Sequence, residues 1–122
     1  MKPLTRAEEE VMQWLWKIEQ ANVAAVIEKM PEPKPAYNTV STILRILVDK
    51  GFVDYRKKGR GHIYFPKVAK ADYTKFSINK LKENYFGGSA KSMLSFFISK
   101  NDLSLKELED ILSEIDKYET LW

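Results

Sequence analysis

Residues Ala36–Val53 read AYNTVSTILRILVDKGFV, and the two sides of a helix drawn through them differ in kind. Val40, Leu44, Leu47 and Val48 recur at helical spacing and predict a core-facing stripe, whereas Asn38, Ser41, Thr42 and Arg45 fall at i, i+3, i+4 and i+7 on the other side. That second stripe is polar and cationic. It lacks the mixed Glu and Lys usual on a solvated helix. Asparagine can pair bidentately with adenine, arginine with guanine, and hydroxyls with bases or phosphates, so the face suits a major groove. Any surface helix needs some polar face, so the reading depends on what surrounds it.

Directly downstream stand Phe52, Val53 and Tyr55, then Arg56-Lys57-Lys58-Gly59-Arg60-Gly61, then Ile63, Tyr64 and Phe65 before Pro66. Two β-prone runs around a glycine-containing basic tip predict a hairpin of the kind laid against phosphate backbone beside a recognition helix. Upstream, Thr5 with Glu8 makes a capping box for a first helix whose inner side is marked by Ala7, Val11, Leu15 and Ile18. Trp14 and Trp16 cannot both be fully buried on that side. A second helix is expected from Val23 to Met30, with Val26, Ile27 and Met30 inward, and Pro31, Pro33 and Pro35 end it. Two helices, a proline turn, the polar-faced helix and the hairpin predict a winged helix-turn-helix over residues 1–70, mainly α with a small β-hairpin.

Charge follows the same division. The 122-residue chain carries a net +3, but residues 36–70 hold eight Lys and Arg against two Asp and Glu, hence +6, and residues 71–122 hold seven against nine, hence −2. The middle is built to meet an anion and the tail is not. The absence of cysteine excludes disulfides, thiolate metal sites and cysteine catalysis, and fits a reducing compartment. Without a long apolar run or a signal-like amino terminus, a cytosolic protein is expected. Neither metal nor other cofactor is expected. His62, the one histidine, has no companion for a metal site or a catalytic pair, Gly59-x-Gly61 is too short to cradle a nucleotide phosphate, and an enzyme is the weakest class.

Residues 71–122 read as a separate helical unit. A helical pattern from Asp72 to Asn84 carries Tyr73, Phe76 and Leu81, with Tyr85 just beyond, and Gly87-Gly88 breaks it. Met93, Leu94, Phe96, Phe97 and Ile98 form a strongly apolar short helix, and a second capping box, Ser104 with Glu107, opens a third bearing Leu105, Leu108, Leu112 and Ile115. Three short amphipathic helices bury too little surface to stand alone, so they are expected to fold against a second copy. The interface expected for this homodimerisation domain comprises Tyr73, Phe76, Leu81, Tyr85, Leu94, Phe97, Leu105, Leu108, Leu112 and Ile115.

Over nearly its full length the chain resembles the BlaI/MecI family of bacterial penicillinase and methicillin-resistance repressors. The residues that carry the resemblance are Leu4-Thr5-Arg6-Ala7-Glu8, Val11-Met12, Trp16, Thr39-Val40, Thr42, Leu44 and Leu47. Lys50-Gly51-Phe52, Tyr64, Pro66, Gly87-Gly88 and Asp102-Leu103-Ser104 complete them. The resemblance implies homodimeric winged-helix repressors on palindromic operator DNA. It further implies a membrane sensor or antirepressor protease as partner, and relief by cleavage at a bond that aligns with Phe96-Phe97. This chain departs from the family in having Ile46-Leu47 where Arg-Leu is common, with its arginine one residue earlier at Arg45. It also has Phe96 in place of the usual Asn, and lacks the cysteine cluster of the copper-responsive branch.

The sequence thus points to Asn38, Ser41, Thr42 and Arg45 as base-reading residues and to Thr39, Arg56, Lys57, Lys58 and Arg60 as phosphate contacts. The alternative is a winged-helix protein-interaction or adaptor module without sequence-specific DNA binding. Four cations in the five positions from Arg56 to Arg60 favour DNA, because a protein-binding wing has no need of them.

Overall fold

The computed structural model describes residues 1–100 and 102–121, with side chains through Glu114, so the expected interface residue Ile115 lies outside the described side chains. Three helices, α1 (Arg6–Ile18), α2 (Val23–Lys29) and α3 (Tyr37–Asp49), precede an antiparallel hairpin of β1 (Val53–Lys58) and β2 (Gly61–Pro66). Three more follow: α4 (Lys70–Phe86), α5 (Ala90–Ser99) and α6 (Leu105–Leu121). This is the expected mainly helical fold with a small hairpin. The chain divides into two compact units, Met1–Ser77 and Ile78–Trp122, and α4 begins in the first and ends in the second.

In the first unit the capping box forms as expected: Thr5 Oγ1 accepts from Glu8 N at 3.2 Å and Glu8 Oε1 accepts from Thr5 N at 3.0 Å. The inner face of α1 is Glu8, Val11, Met12 and Leu15, and Ala7, expected inward, is exposed. Glu8 takes the inward place because its carboxylate has a partner there, the Lys50 ammonium just past the end of α3. Asn22 caps α2 by accepting from Ala25 N at 2.8 Å, and Lys34 closes its other end by donating to the carbonyls of Glu28 and Met30. From α3, Val40, Leu44 and Leu47 are fully buried, as their spacing predicts, and Phe52 and Val53 continue the same core into the hairpin.

The hairpin turns on Gly59-Arg60, with Lys58 paired to Gly61 and Gly59 at φ 60°, the first central position of a two-residue turn where glycine avoids a Cβ clash. An additional rung fixes it to the helices, since Ala21 and Tyr64 exchange backbone hydrogen bonds of 3.0 and 2.8 Å. The segment after the hairpin returns to the same core. Trp16 Nε1 donates to Val68 O at 2.9 Å, Leu4 N donates to the Tyr73 hydroxyl at 2.9 Å, and Tyr73 meets Phe52 edge-on with ring centroids 5.4 Å apart. Tyr73 and Phe76, expected at a dimer interface, are therefore placed in the packing of the first unit: Tyr73 is buried and Phe76 is half-buried against it. The phenol decides this, because one ring fills core space while its hydroxyl satisfies an otherwise free backbone donor.

In the second unit, Gly87 at φ 57° lets Gly88 N reach back to Lys82 O at 3.0 Å, which closes α4 with a left-handed turn. Ser89 caps α5 by accepting from Ser92 N, and Ser104 caps α6 by accepting from Glu107 N. No side chain described between Ile78 and Glu114 is buried. Tyr85 is 76% exposed, Leu105 69% and Leu112 54%, so these amphipathic helices keep their apolar faces open.

The Glu8–Lys50 pair makes a testable contribution. Burial raises the Glu8 carboxyl, but the hydrogen bond and charge of Lys50 and the two Thr5 contacts outweigh it, leaving the group below its ordinary 4.5. A native carboxyl that ionises more readily than the unfolded one stabilises fully above about 4.5, and that contribution fades as pH falls through the lower native value. Glu8→Gln is expected to cost roughly 1–3 kcal/mol near neutrality and progressively less in acid. Urea melts of both proteins between neutral and acidic pH check this; parallel curves would remove the pair from the acid response.

Candidate nucleic-acid interface

The core stripe of α3 dictates what its opposite side presents. With Val40, Leu44 and Leu47 buried, Tyr37, Asn38, Thr39, Thr42, Arg45 and Ile46 are all exposed. Asn38, Thr42 and Arg45 thus occupy one outward face, one helical turn apart, with Thr39 in the first turn beside them. Ser41 sits differently. It is half-buried and turns toward the wing, where it lines a groove with Arg45, Val48 and Asp49 of α3 and with Tyr55, His62 and Tyr64 of the hairpin. The groove encloses about 540 Å³.

Pairing register sorts the wing residues that sequence reading treated together. Because successive side chains of a strand point to opposite faces, the pairs Tyr55↔Tyr64 and Lys57↔His62 share one face, and Arg56↔Ile63 shares the other with Lys58. The first of these faces lines the groove against α3. Arg56 lies on the second and donates from Nη1 to Gln20 Oε1 at 2.8 Å, beside the connection between α1 and α2. Arg60, at the turn, lines a smaller cavity of about 240 Å³ with Tyr37, Ser41 and His62. The four cations are all exposed, but they do not form one patch.

Two groups at this surface, Tyr37 and Ile46, escaped the sequence reading, and the structure gives a third, His62, its neighbours. Tyr37, 58% exposed, opens α3 and lines the smaller cavity. Ile46, 37% exposed, stands on the outward side beside Arg45, where an apolar side chain can meet a thymine methyl. His62 meets two rings of the wing, tilted against Tyr55 with centroids 4.7 Å apart and edge-on to Tyr64 at 6.1 Å. For Ile46 a signal existed, since it lies one residue past Arg45 and off the core stripe. Tyr64 anchors the groove floor: burial pushes its phenol upward, Arg45 partly offsets that, and the hydroxyl stays a neutral donor. Among the described residues Asp49 is the single acid lining the larger groove.

In the second unit Leu81, Tyr85, Phe86, Phe96 and Phe97 surround an apolar groove of about 460 Å³. Phe86 and Phe96 meet edge-on at 5.6 Å. The Phe96-Phe97 bond lies inside α5, and the Phe96 carbonyl accepts from Lys100 N at 3.1 Å. Of the other expected interface residues, Leu94, Leu105 and Leu112 are exposed and Leu108 is half-buried. Among the described residues no helix is long and apolar enough to cross a membrane.

The sequence model of the penicillinase repressor family matches residues 4–117. Over 116 residues the chain is 31% identical to the methicillin resistance regulatory protein MecI of Staphylococcus aureus, covering 93% of this chain and 94% of that protein. It is 26% identical over 116 residues to the penicillinase repressor of Bacillus licheniformis, covering 94% of this chain and 91% of that one. Among solved structures it is similar to the solution structure of the DNA-binding domain of the repressor BlaI, with 32% identity and a TM-score of 0.51, covering 60% of this chain and 94% of that chain.

Proposed function

Because the chain belongs to the penicillinase repressor family, we propose that it is a DNA-binding transcriptional repressor acting as a homodimer on a palindromic operator. The observation that carries this reading is the outward face of α3, where Asn38, Thr42 and Arg45 stand exposed beside a wing bearing Lys57 and Arg60. A helix of this width enters the major groove and reads base edges with its polar stripe, while the wing cations neutralise phosphates. Thr39, Arg56 and Lys58 add phosphate contacts at the edges of that footprint. Ser41, half-buried, reaches DNA only from the side of the groove.

Dimerisation through Leu81, Tyr85, Leu94, Phe97, Leu105, Leu108 and Leu112 would supply the burial that the second unit lacks. A two-fold dimer reads two half-sites on one face of the duplex, about one helical turn, or roughly 10 base pairs, apart or at multiples of that spacing. Relief of repression then follows from cleavage at Phe96-Phe97 by a membrane sensor or antirepressor protease. That bond is hydrogen-bonded inside α5, so cleavage first requires local opening of the helix. Mass spectrometry of protein from induced cells decides it, and an intact chain on DNA-free repressor would refute the proteolytic switch.

Selection of bound sites from genomic fragments tests the main reading, with an inverted repeat as the expected product. Lys57→Ala with Lys58→Ala should weaken operator and random duplex alike and make the log-log salt dependence shallower, by up to roughly 1 unit for each phosphate no longer neutralised. An unchanged slope would remove these lysines from the interface. Indifference of the native protein to any duplex would favour the protein-interaction alternative.

A further inference from the structure

We propose that the smaller cavity between α3 and the wing is a seat for one backbone phosphate of the duplex, held on a protonated His62, so that DNA binding takes up a proton there. The inference rests on the repressor reading and deepens it. The cavity of about 240 Å³ is lined by Asn22, Tyr37, Ser41, Arg60, His62 and Tyr64 together with apolar and glycine backbone positions. Its polar lining is rich in donors. The guanidinium of Arg60 and the three hydroxyls point to anion chemistry, and Asn22 has its side-chain oxygen committed to Ala25 N, which leaves the amide NH₂ free to donate. No acid lines it. The neighbouring larger groove holds Asp49, which would repel a phosphate, so the anion belongs at the Arg60 end.

His62 lies where the two cavities meet, since it lines both of them along with Ser41 and Tyr64. Its ring is held by Tyr55 at 4.7 Å and Tyr64 at 6.1 Å, so its direction is set before DNA arrives. Among the described residues no protein group hydrogen-bonds its nitrogens, and an imidazolium could give a charge-assisted bond to a phosphate oxygen. The charged or titratable groups around it are Tyr37, Arg45 and Asp49 from α3, Tyr55 and Lys57 from β1, Arg60 from the turn and Tyr64 from β2. Phenol, ammonium, guanidinium and carboxylate groups ordinarily keep one form between about pH 5.5 and 7.5, whereas imidazole changes charge within that window. A phosphate favours the charged form, so binding and proton uptake are linked.

The chain has one histidine, which makes the test direct. Affinity for a random-sequence duplex is measured at constant salt for the native protein and for His62→Gln, which keeps a donor but cannot titrate. The native affinity should rise as pH falls from about 7.5 to 5.5, by up to roughly tenfold per pH unit for each proton taken up, and His62→Gln should show a flatter profile. Identical pH slopes for the two proteins would overturn the inference. The ring resonances of the single histidine give a second readout that needs no variant: their titration midpoint should move up when duplex is bound, and an unchanged or lowered midpoint would also overturn it. Failure of both proteins to bind duplex at low salt, at any pH, would overturn the repressor reading and this inference with it.

Discussion

A fragment ending at Ser77 is expected to remain folded but to bind the operator roughly 10²–10⁴-fold more weakly than the full chain, because the second half-site contact of a dimer is effectively intramolecular and the fragment cannot make it. The cut must fall there. A fragment ending at residue 70 would also lack Tyr73, whose hydroxyl satisfies Leu4 N and whose ring packs on Phe52, and deleting a buried aromatic costs about 3–5 kcal/mol. The shorter fragment should therefore melt well below the longer one, although neither contains the apolar groove formed by Leu81, Tyr85, Phe86, Phe96 and Phe97. Ultracentrifugation and duplex titration check both halves of the argument. A full-length chain that stays monomeric at tens of micromolar, or a Ser77 fragment that binds as tightly as the whole, would overturn the dimer.

Leu44→Ala and Arg45→Ala, at adjacent positions, should fail in opposite ways. Leu44 has no exposed surface and packs in the one continuous core of the first unit, so truncation leaves a cavity and costs about 2–5 kcal/mol, a large share of the stability of so small a module. DNA binding would fall only with the folded fraction. Arg45 is exposed, and its truncation should leave stability within roughly 0.5 kcal/mol. It should instead cost roughly 1–3 kcal/mol on the operator and little on random duplex, since base contacts specify and phosphate contacts mainly add affinity. Equal losses on both DNAs would make Arg45 a phosphate contact and leave base reading to Asn38 and Thr42.

Much of the candidate interface was legible because it is encoded at helical spacing. Asn38, Thr42 and Arg45 fall on one outward face by arithmetic alone, and the structure places them there. Ser41 shares their spacing but differs in environment, because the wing packs alongside α3 and takes that flank of the helix as one wall of a groove. The basic tip was equally plain in composition. Which cations share a face was not, because Arg56 and Lys57 are neighbours in sequence and opposites in a strand, and the direction of each depends on the pairing register.

By itself, the sequence determined what repeats over a few residues: the capping box at Thr5 and Glu8, the buried stripe Val40, Leu44 and Leu47, the hairpin closed by Gly59 and the helix break at Gly87-Gly88. These depend on local backbone preference and side-chain periodicity, which a short window contains. Only the tertiary structure decided the pairing of Glu8 with Lys50, the bond from Trp16 to Val68 and the burial of Tyr73 under Leu4, contacts that span 42, 52 and 69 positions. No local pattern announces such partners, since each is chosen by how whole elements pack once the chain has closed on itself. The position of His62 between α3 and the wing belongs to the same class: a lone histidine in the sequence, given its neighbours by the fold.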